Sequence, residues 1–226
     1  MDIAVGFILM TAGFVLIPTL AKKKNYRNIN TYFCVAISIF YFLTILISCF
    51  KLNRNNLQMV TPLSNVSPLL FTLAFVCIFL NDNIRSKLFK FMCLFNFFML
   101  VAGFISASYA LSMGANYFKF SVYDELAHLT YGVFAFYLLA TNQVEVNKKD
   151  LIWSIIGMLG FVAIIFVINI IFDTSFFGLC LNDQYNIYGL KMFDNCHVSN
   201  IVFVFLLVTV MAIGYGFTKL IKSESI

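Results

Sequence analysis

Asp124, His128 and Asn169 sit inside or at the ends of long apolar runs, and Asp173 closes one of them. Hydrocarbon should exclude such groups: a charge at the bilayer centre costs about 2.5–3.5 kcal/mol on insertion scales, and less near the interface. An intramembrane ionisable group is therefore read first as part of a site. Asp124 and His128 are four residues apart and share a helix face, with Tyr131 three further on and close to that face. A carboxylate one turn before a histidine can hold the ring and raise its basicity. Ser64, Asn65 and Ser67 form a second polar group, bracketed by Pro62 and Pro68. A histidine base within reach of Ser64 or Ser67 would make that hydroxyl a nucleophile, and amide groups of Asn65 or Asn169 would donate to an oxyanion. The chemistry so assembled is acyl transfer or hydrolysis. His128 is the expected general base, Asp124 its orienter, and Ser64 or Ser67 the nucleophile. Asn65, Tyr131, Asn169 and Asp173 are the expected binding residues.

Bland readings stand beside these. Asp124, Glu125 and Asp173 could be solvated helix ends, and His128 could serve only as an interhelical hydrogen bond. Ser38, Thr44, Thr72 and Asn96 are ordinary candidates for such bonds. The two prolines remove backbone donors. They predict either a loosened binding mouth or simply a shaped helix entry.

The elements that must position these residues are membrane spans. Apolar residues make up 62% of the 226-residue chain and charged residues 11%, far below the roughly 25% charged content of soluble domains. Runs of about 20 apolar residues, the length needed to cross the hydrocarbon, recur over approximately residues 3–20, 31–50, 60–80, 89–112, 122–140, 152–172 and 200–218. Strand-like alternation is absent, which argues against an outer-membrane barrel. The expectation is an all-α, polytopic transmembrane bundle of about seven spans in one domain over residues 1–226, with six spans as the runner-up. The net charge of +5 does not indicate nucleic acid, because the basic residues cluster beside apolar runs. Their expected partner is the anionic face of a membrane.

Charge sets the orientation. Alternate gaps carry Lys22, Lys23, Lys24 and Arg27; Arg85, Lys87 and Lys90; Lys148 and Lys149; Lys219 and Lys222. The other gaps carry Lys51 and Arg54, Lys119, and Lys191, giving eleven basic residues against four. The positive-inside tendency then places the N-terminus outside and the C-terminus in the cytoplasm. No basic residue precedes the first run, so it reads as a retained helix rather than a cleaved signal. In this topology the entry to the third span, the start of the fifth and the end of the sixth all reach the outer leaflet. Their polar groups would meet there. The segment from Asp173 to Ser199 is expected to fold back over that mouth as a lid or re-entrant piece, or else to be a solvated loop.

No cofactor is implied. With two histidines and no CxxC pair, the chain has no metal signature, and it carries neither a Walker loop, a dinucleotide fingerprint nor HExxH. Cys34, Cys77 and Cys93 read as small core residues, whereas Cys180 and Cys196 could pair in the outer segment. Gly157 with Gly160, and Gly6 with Gly13, have spacings that permit close helix approach.

The runs Thr61-Pro62-Leu63-Ser64-Asn65-Val66-Ser67-Pro68, Asp124-Glu125-Leu126-Ala127-His128-Leu129 and Asn169-Ile170-Ile171-Phe172-Asp173-Thr174 arrive in an order that resembles the YwaF-like family of small multi-span bacterial membrane proteins. The resemblance is one of layout over most of the chain. It implies an N-terminus-out bundle, with His128 and Asn169 as the matching histidine and asparagine. A eukaryotic branch of that group is associated with phospholipid acyl transfer through a membrane cysteine and histidine. This chain has Ser64 and Val66 where a histidine and a cysteine follow Pro-Leu in that pattern, so a cysteine route does not carry over. Three functions remain in view: a membrane-embedded enzyme acting on a lipid or lipid-linked substrate, a transporter or transporter subunit, and a non-catalytic sensor or assembly factor. All three place the chain as a multi-pass protein of the cell membrane, expected to be a bacterial plasma membrane.

Overall fold

The structure is a computed structural model that describes residues 26–51, 65–102, 115–172, 174, 176–179 and 196–224. Among the described residues there are six principal α-helices and no β-strand. They are α1 (Tyr26–Lys51), α2 (Val66–Cys77), α3 (Asp82–Cys93), α4 (Ala115–Ala140), α5 (Lys148–Phe172) and α6 (Cys196–Glu224), with a 3₁₀ turn at Phe176–Gly178. A further helical stretch covers 96–102.

Burial periodicity explains how these helices pack. Along α5 the buried residues are Met158, Val162, Ile165 and Asn169, a narrow stripe at spacings of three and four. Ile152, Ile156, Ile164, Val167 and Ile171 on the same helix are exposed. On α6 the stripe is Leu207, Met211, Gly214 and Thr218, with Ile201, Phe205, Ile213 and Leu220 exposed. A helix that is apolar all round but buries only one stripe suits an apolar solvent on its other faces. Arg27–Ile47, Lys148–Phe172 and His197–Ile221 are three segments long and apolar enough to cross a membrane. By contrast, α4 is buried on nearly every side from Ala127 to Leu139. It is the axis of the bundle, with α1 packed most extensively against it.

Local signals fix the ends. Asn65, in extended backbone, caps α2 by accepting from the Val66 N–H at 2.7 Å. Pro68 falls in the first turn of that helix, where a backbone N–H has no helical partner to lose. Of the two expectations for this proline, shaping the helix entry is the one its position fits. Asn81 caps α3 through the Ile84 N–H, and Asp82 and Lys90 stand at the ends that suit their charges. Asn142 closes α4 with φ 54, and the Asn142 and Gln143 amides return to the Leu139 and Leu138 carbonyls. Asn147 and Asp150 then form a reciprocal capping box at the start of α5, at 3.0 and 2.9 Å. Asp150 also pairs with Lys90 at 3.0 Å, tying α5 to α3.

Several expectations change. The run at 89–112 is not one straight helix: α3 starts earlier, at Asp82, and the chain turns at Leu94–Phe95 before resuming at Asn96. The hydroxyls of Ser38, Thr44 and Thr72 donate to the carbonyls of Cys34, Phe40 and Pro68, four residues back on their own helices, and Thr72 also shares a side-chain hydrogen bond with Tyr41 of α1, an interhelical contact of the kind expected. Asn96, completely buried, accepts from the adjacent Phe97 N–H. Gly157 and Gly160 face open space. The close helix approach occurs instead at Gly214, against the Leu94 turn. Cys34, Cys77 and Cys93 are buried free thiols, as their setting suggests. The 3–20 run, Gly6, Gly13, the side chains of Cys180 and Cys196, and most of the 173–199 segment lie outside the described residues.

Candidate functional site

The site is built where the start of α2 meets the middle of α4. Ser67 lies in the first turn of α2, two residues after its Asn65 cap. His128 lies one turn along α4 from Asp124. His128 Nε2 is 2.9 Å from Ser67 Oγ, and Nδ1 is 2.8 Å from the Asp124 main-chain carbonyl oxygen. Both side chains are buried, Ser67 with 7% and His128 with 6% of its surface exposed.

The carbonyl settles which ring nitrogen carries the proton. A carbonyl can only accept, so Nδ1 is the N–H donor in the neutral ring, and Nε2 presents its lone pair. The Ser67 hydroxyl therefore donates to Nε2. The Asp124 carboxylate reaches to 3.7 Å from Nδ1, where it would stabilise positive charge on the ring. Its side chain is partly exposed, so the polar edge of the group reaches the surface while serine and histidine lie behind it. The Asp124 main-chain carbonyl thus orients the ring, its carboxylate stands near enough to favour a charged imidazole, and Nε2 faces the Ser67 hydroxyl it could activate.

Phe71 completes the setting. It lies four residues after Ser67 on the same helix face, and its ring meets the imidazole edge to face at a centroid distance of 5.0 Å. The spacing of Ser67 and Phe71 was visible in the sequence as an i,i+4 pair. Nothing distinguished Phe71 from the many other phenylalanines.

The remaining candidates fall in different places. Asn65 stays beside the site, with its side-chain oxygen engaged as the α2 cap. Tyr131 is fully buried on α4 and its ring approaches Phe71, but its hydroxyl donates to the Met92 carbonyl at 2.8 Å. Met92 precedes the Leu94–Phe95 turn, where the α-helical ladder is interrupted. Tyr131 thus supports that break rather than facing His128 with a free hydroxyl. Asn169 is fully buried, and its hydrogen bonds go to the segment that follows α5. Its Nδ2 donates to the Phe176 carbonyl at 3.0 Å, while its Oδ1 accepts from the Phe176 N–H and the Thr174 hydroxyl at 2.8 and 2.9 Å. It is the clamp that folds the chain back after α5. Phe177, at φ 63, is thereby buried against Phe161 and Phe203. Ser64 and Asp173 lie outside the described residues.

Among the described residues no group of three or more histidine, cysteine or acidic side chains is arranged to hold a metal ion. Compared with protein-family models, with curated proteins and with solved structures, the chain matches none.

Proposed function

We propose that this chain is a membrane-embedded enzyme that transfers or hydrolyses an acyl group on a lipid or lipid-linked substrate. The observation that carries the proposal is the 2.9 Å contact between Ser67 Oγ and His128 Nε2, with Nδ1 held by Asp124. Attack of Ser67 Oγ on an ester carbonyl would form the acyl–serine bond while the hydroxyl proton passes to Nε2. The same proton would then leave on the alcohol released from the substrate. Water or an acceptor alcohol, deprotonated in turn by His128, would break the acyl–serine bond and regenerate the hydroxyl. Ser67 rather than Ser64 is the nucleophile of this reading. The frame for it is the seven-span, N-terminus-out topology in the plasma membrane, together with the YwaF-like layout, in which serine replaces the cysteine route.

Purified protein in vesicles, supplied with a labelled phospholipid, tests the proposal. Turnover that disappears in both Ser67→Ala and His128→Ala supports it. Turnover that is absent from the wild type, or that survives both substitutions, contradicts it. A second reading is favoured by the near-complete burial of both side chains: the pair locks α2 onto α4 and performs no chemistry. In that case the same substitutions lower the unfolding temperature while no lipid changes.

A further inference from the structure

At the far end of α4 from His128, about 18 Å along the axis by helix rise, the bundle opens into a cleft of about 200 Å³. It is lined by Arg27 and Asn30 of α1, Asp82, Arg85, Ser86 and Phe89 of α3, and Gln143 and Val144 of the α4–α5 turn. Three features make it a built site rather than a patch of surface charge. First, Arg85 is 6% exposed, whereas an arginine at a helix start would ordinarily extend into solvent. Second, two guanidinium groups share one carboxylate. Arg85 bonds Asp82 closely, and Arg27 Nε stands 4.0 Å from the same Asp82 oxygen. The lining thus carries one net positive charge, and a single carboxylate cannot engage all ten guanidinium N–H donors. Third, Asn30 is 7% exposed, and its side-chain oxygen has no hydrogen-bond partner among the described residues, although its Nδ2 donates to Gln143 at 2.8 Å. A buried acceptor left unpaired costs about 1–3 kcal/mol; the oxygen is enclosed as it stands, and a small turn of the Asn30 amide at the wall of the cleft would present it to a ligand donor.

We infer that this cleft binds a phosphate group that also bears a hydroxyl or ammonium donor. The phosphate would sit against Arg85 and Arg27, the donor would reach Asn30 Oδ1, and Phe89 would line the less polar wall. Arginine forks suit phosphate oxygens in paired contacts. Such a ligand has two sources, an anionic phospholipid headgroup or a soluble phosphate ester. The cleft is remote from Ser67 and His128, so the inference stands whether or not those residues are catalytic.

The test uses full-length protein. One arm places it in nanodiscs of phosphatidylcholine with or without phosphatidylglycerol. The other adds glycerol phosphate to protein in phosphatidylcholine alone. Binding is read by thermal unfolding and by titration. Arg27→Gln and Asn30→Leu alter the cleft while sparing the Arg85–Asp82 pair, and Lys87→Gln removes a neighbouring exposed charge outside it. We expect one of the two ligands to stabilise the wild type, with either cleft substitution raising Kd about tenfold and Lys87→Gln leaving it unchanged. A response to phosphatidylglycerol alone assigns a lipid, and saturation by glycerol phosphate assigns a soluble ester. No binding in either arm overturns the inference. So does an equal loss in Lys87→Gln, which would mean diffuse attraction, or retention of full affinity by both cleft variants.

Discussion

Gly214→Ala is predicted to be the most damaging single-methyl change in α6. A Cβ built at Gly214 lies 1.8 Å from the Leu94 carbonyl oxygen and 2.6 Å from its carbon. Ordinary non-bonded contact is about 3.5 Å, so the two backbones would have to separate by roughly 1.7 Å. The obstacle is main chain and cannot swing aside as a rotamer would. Overpacking typically costs about 1–3 kcal/mol, and a backbone clash belongs at or above the top of that range. Leu94 belongs to the turn whose neighbour, the Met92 carbonyl, receives the Tyr131 hydroxyl. Displacement at Gly214 should therefore reach α4 one turn from His128. Gly216 supplies the control, because a Cβ there meets nothing within 4 Å. The assay is thermal or denaturant unfolding of detergent-solubilised protein, with the three proteins compared side by side. Gly214→Ala should unfold several degrees below wild type, and Gly216→Ala should match wild type or exceed it slightly, alanine being the better helix former. If Gly214→Ala and Gly216→Ala unfold together at the wild-type temperature, the close packing of α6 on Leu94 is wrong.

Three other outcomes follow from the same structure. Asn169→Leu removes three hydrogen bonds and strands the Phe176 amide, the Phe176 carbonyl keeping only the Leu179 N–H. It should cost about 2–4 kcal/mol and increase proteolysis after α5, whereas unchanged protection would remove the clamp. Asp150→Ala removes the carboxylate half of the capping box and the Lys90 pair together, while its own N–H still reaches Asn147, and is expected to cost about 1–2 kcal/mol. Lys90→Gln should cost less than about 1 kcal/mol, because it removes only a partly exposed pair. A larger effect for Lys90→Gln than for Asp150→Ala in unfolding measurements would reverse that assignment. In Tyr131→Phe the Met92 carbonyl loses a buried donor, and a loss of about 1–2 kcal/mol with any lipid turnover retained would mark the tyrosine as a support for the turn.

Much of the bundle was legible because a long apolar helix is written in run length. The cores of α1, α4, α5 and α6 coincide with four of the apolar runs for that reason. The Leu94–Phe95 turn was not legible, since Phe91 to Leu100 is apolar throughout apart from Asn96 and contains neither proline nor glycine. The relation of Ser67 to His128 was only half visible. The i,i+4 rule gave Asp124 beside His128, but no local rule could choose between Ser64 and Ser67, because that depends on where α2 crosses α4. Asn169 was correctly singled out as a polar residue needing an interior partner. The partner proved to be the returning chain at Thr174 and Phe176 rather than the other site residues. The cleft of Arg27, Asn30 and Arg85 escaped the sequence reading because its parts are far apart in the chain, and each looked like an ordinary flanking polar residue.

The most direct test of the serine–histidine assignment is covalent labelling by a lipophilic fluorophosphonate, which reacts with a serine only when its hydroxyl is activated. In membranes, the account predicts one labelled residue, Ser67, with labelling lost in Ser67→Ala and reduced at least about a hundredfold in His128→Ala. Labelling of Ser67 that is unchanged in a folded His128→Ala protein, or failure of the folded wild type to react at Ser67, would contradict it.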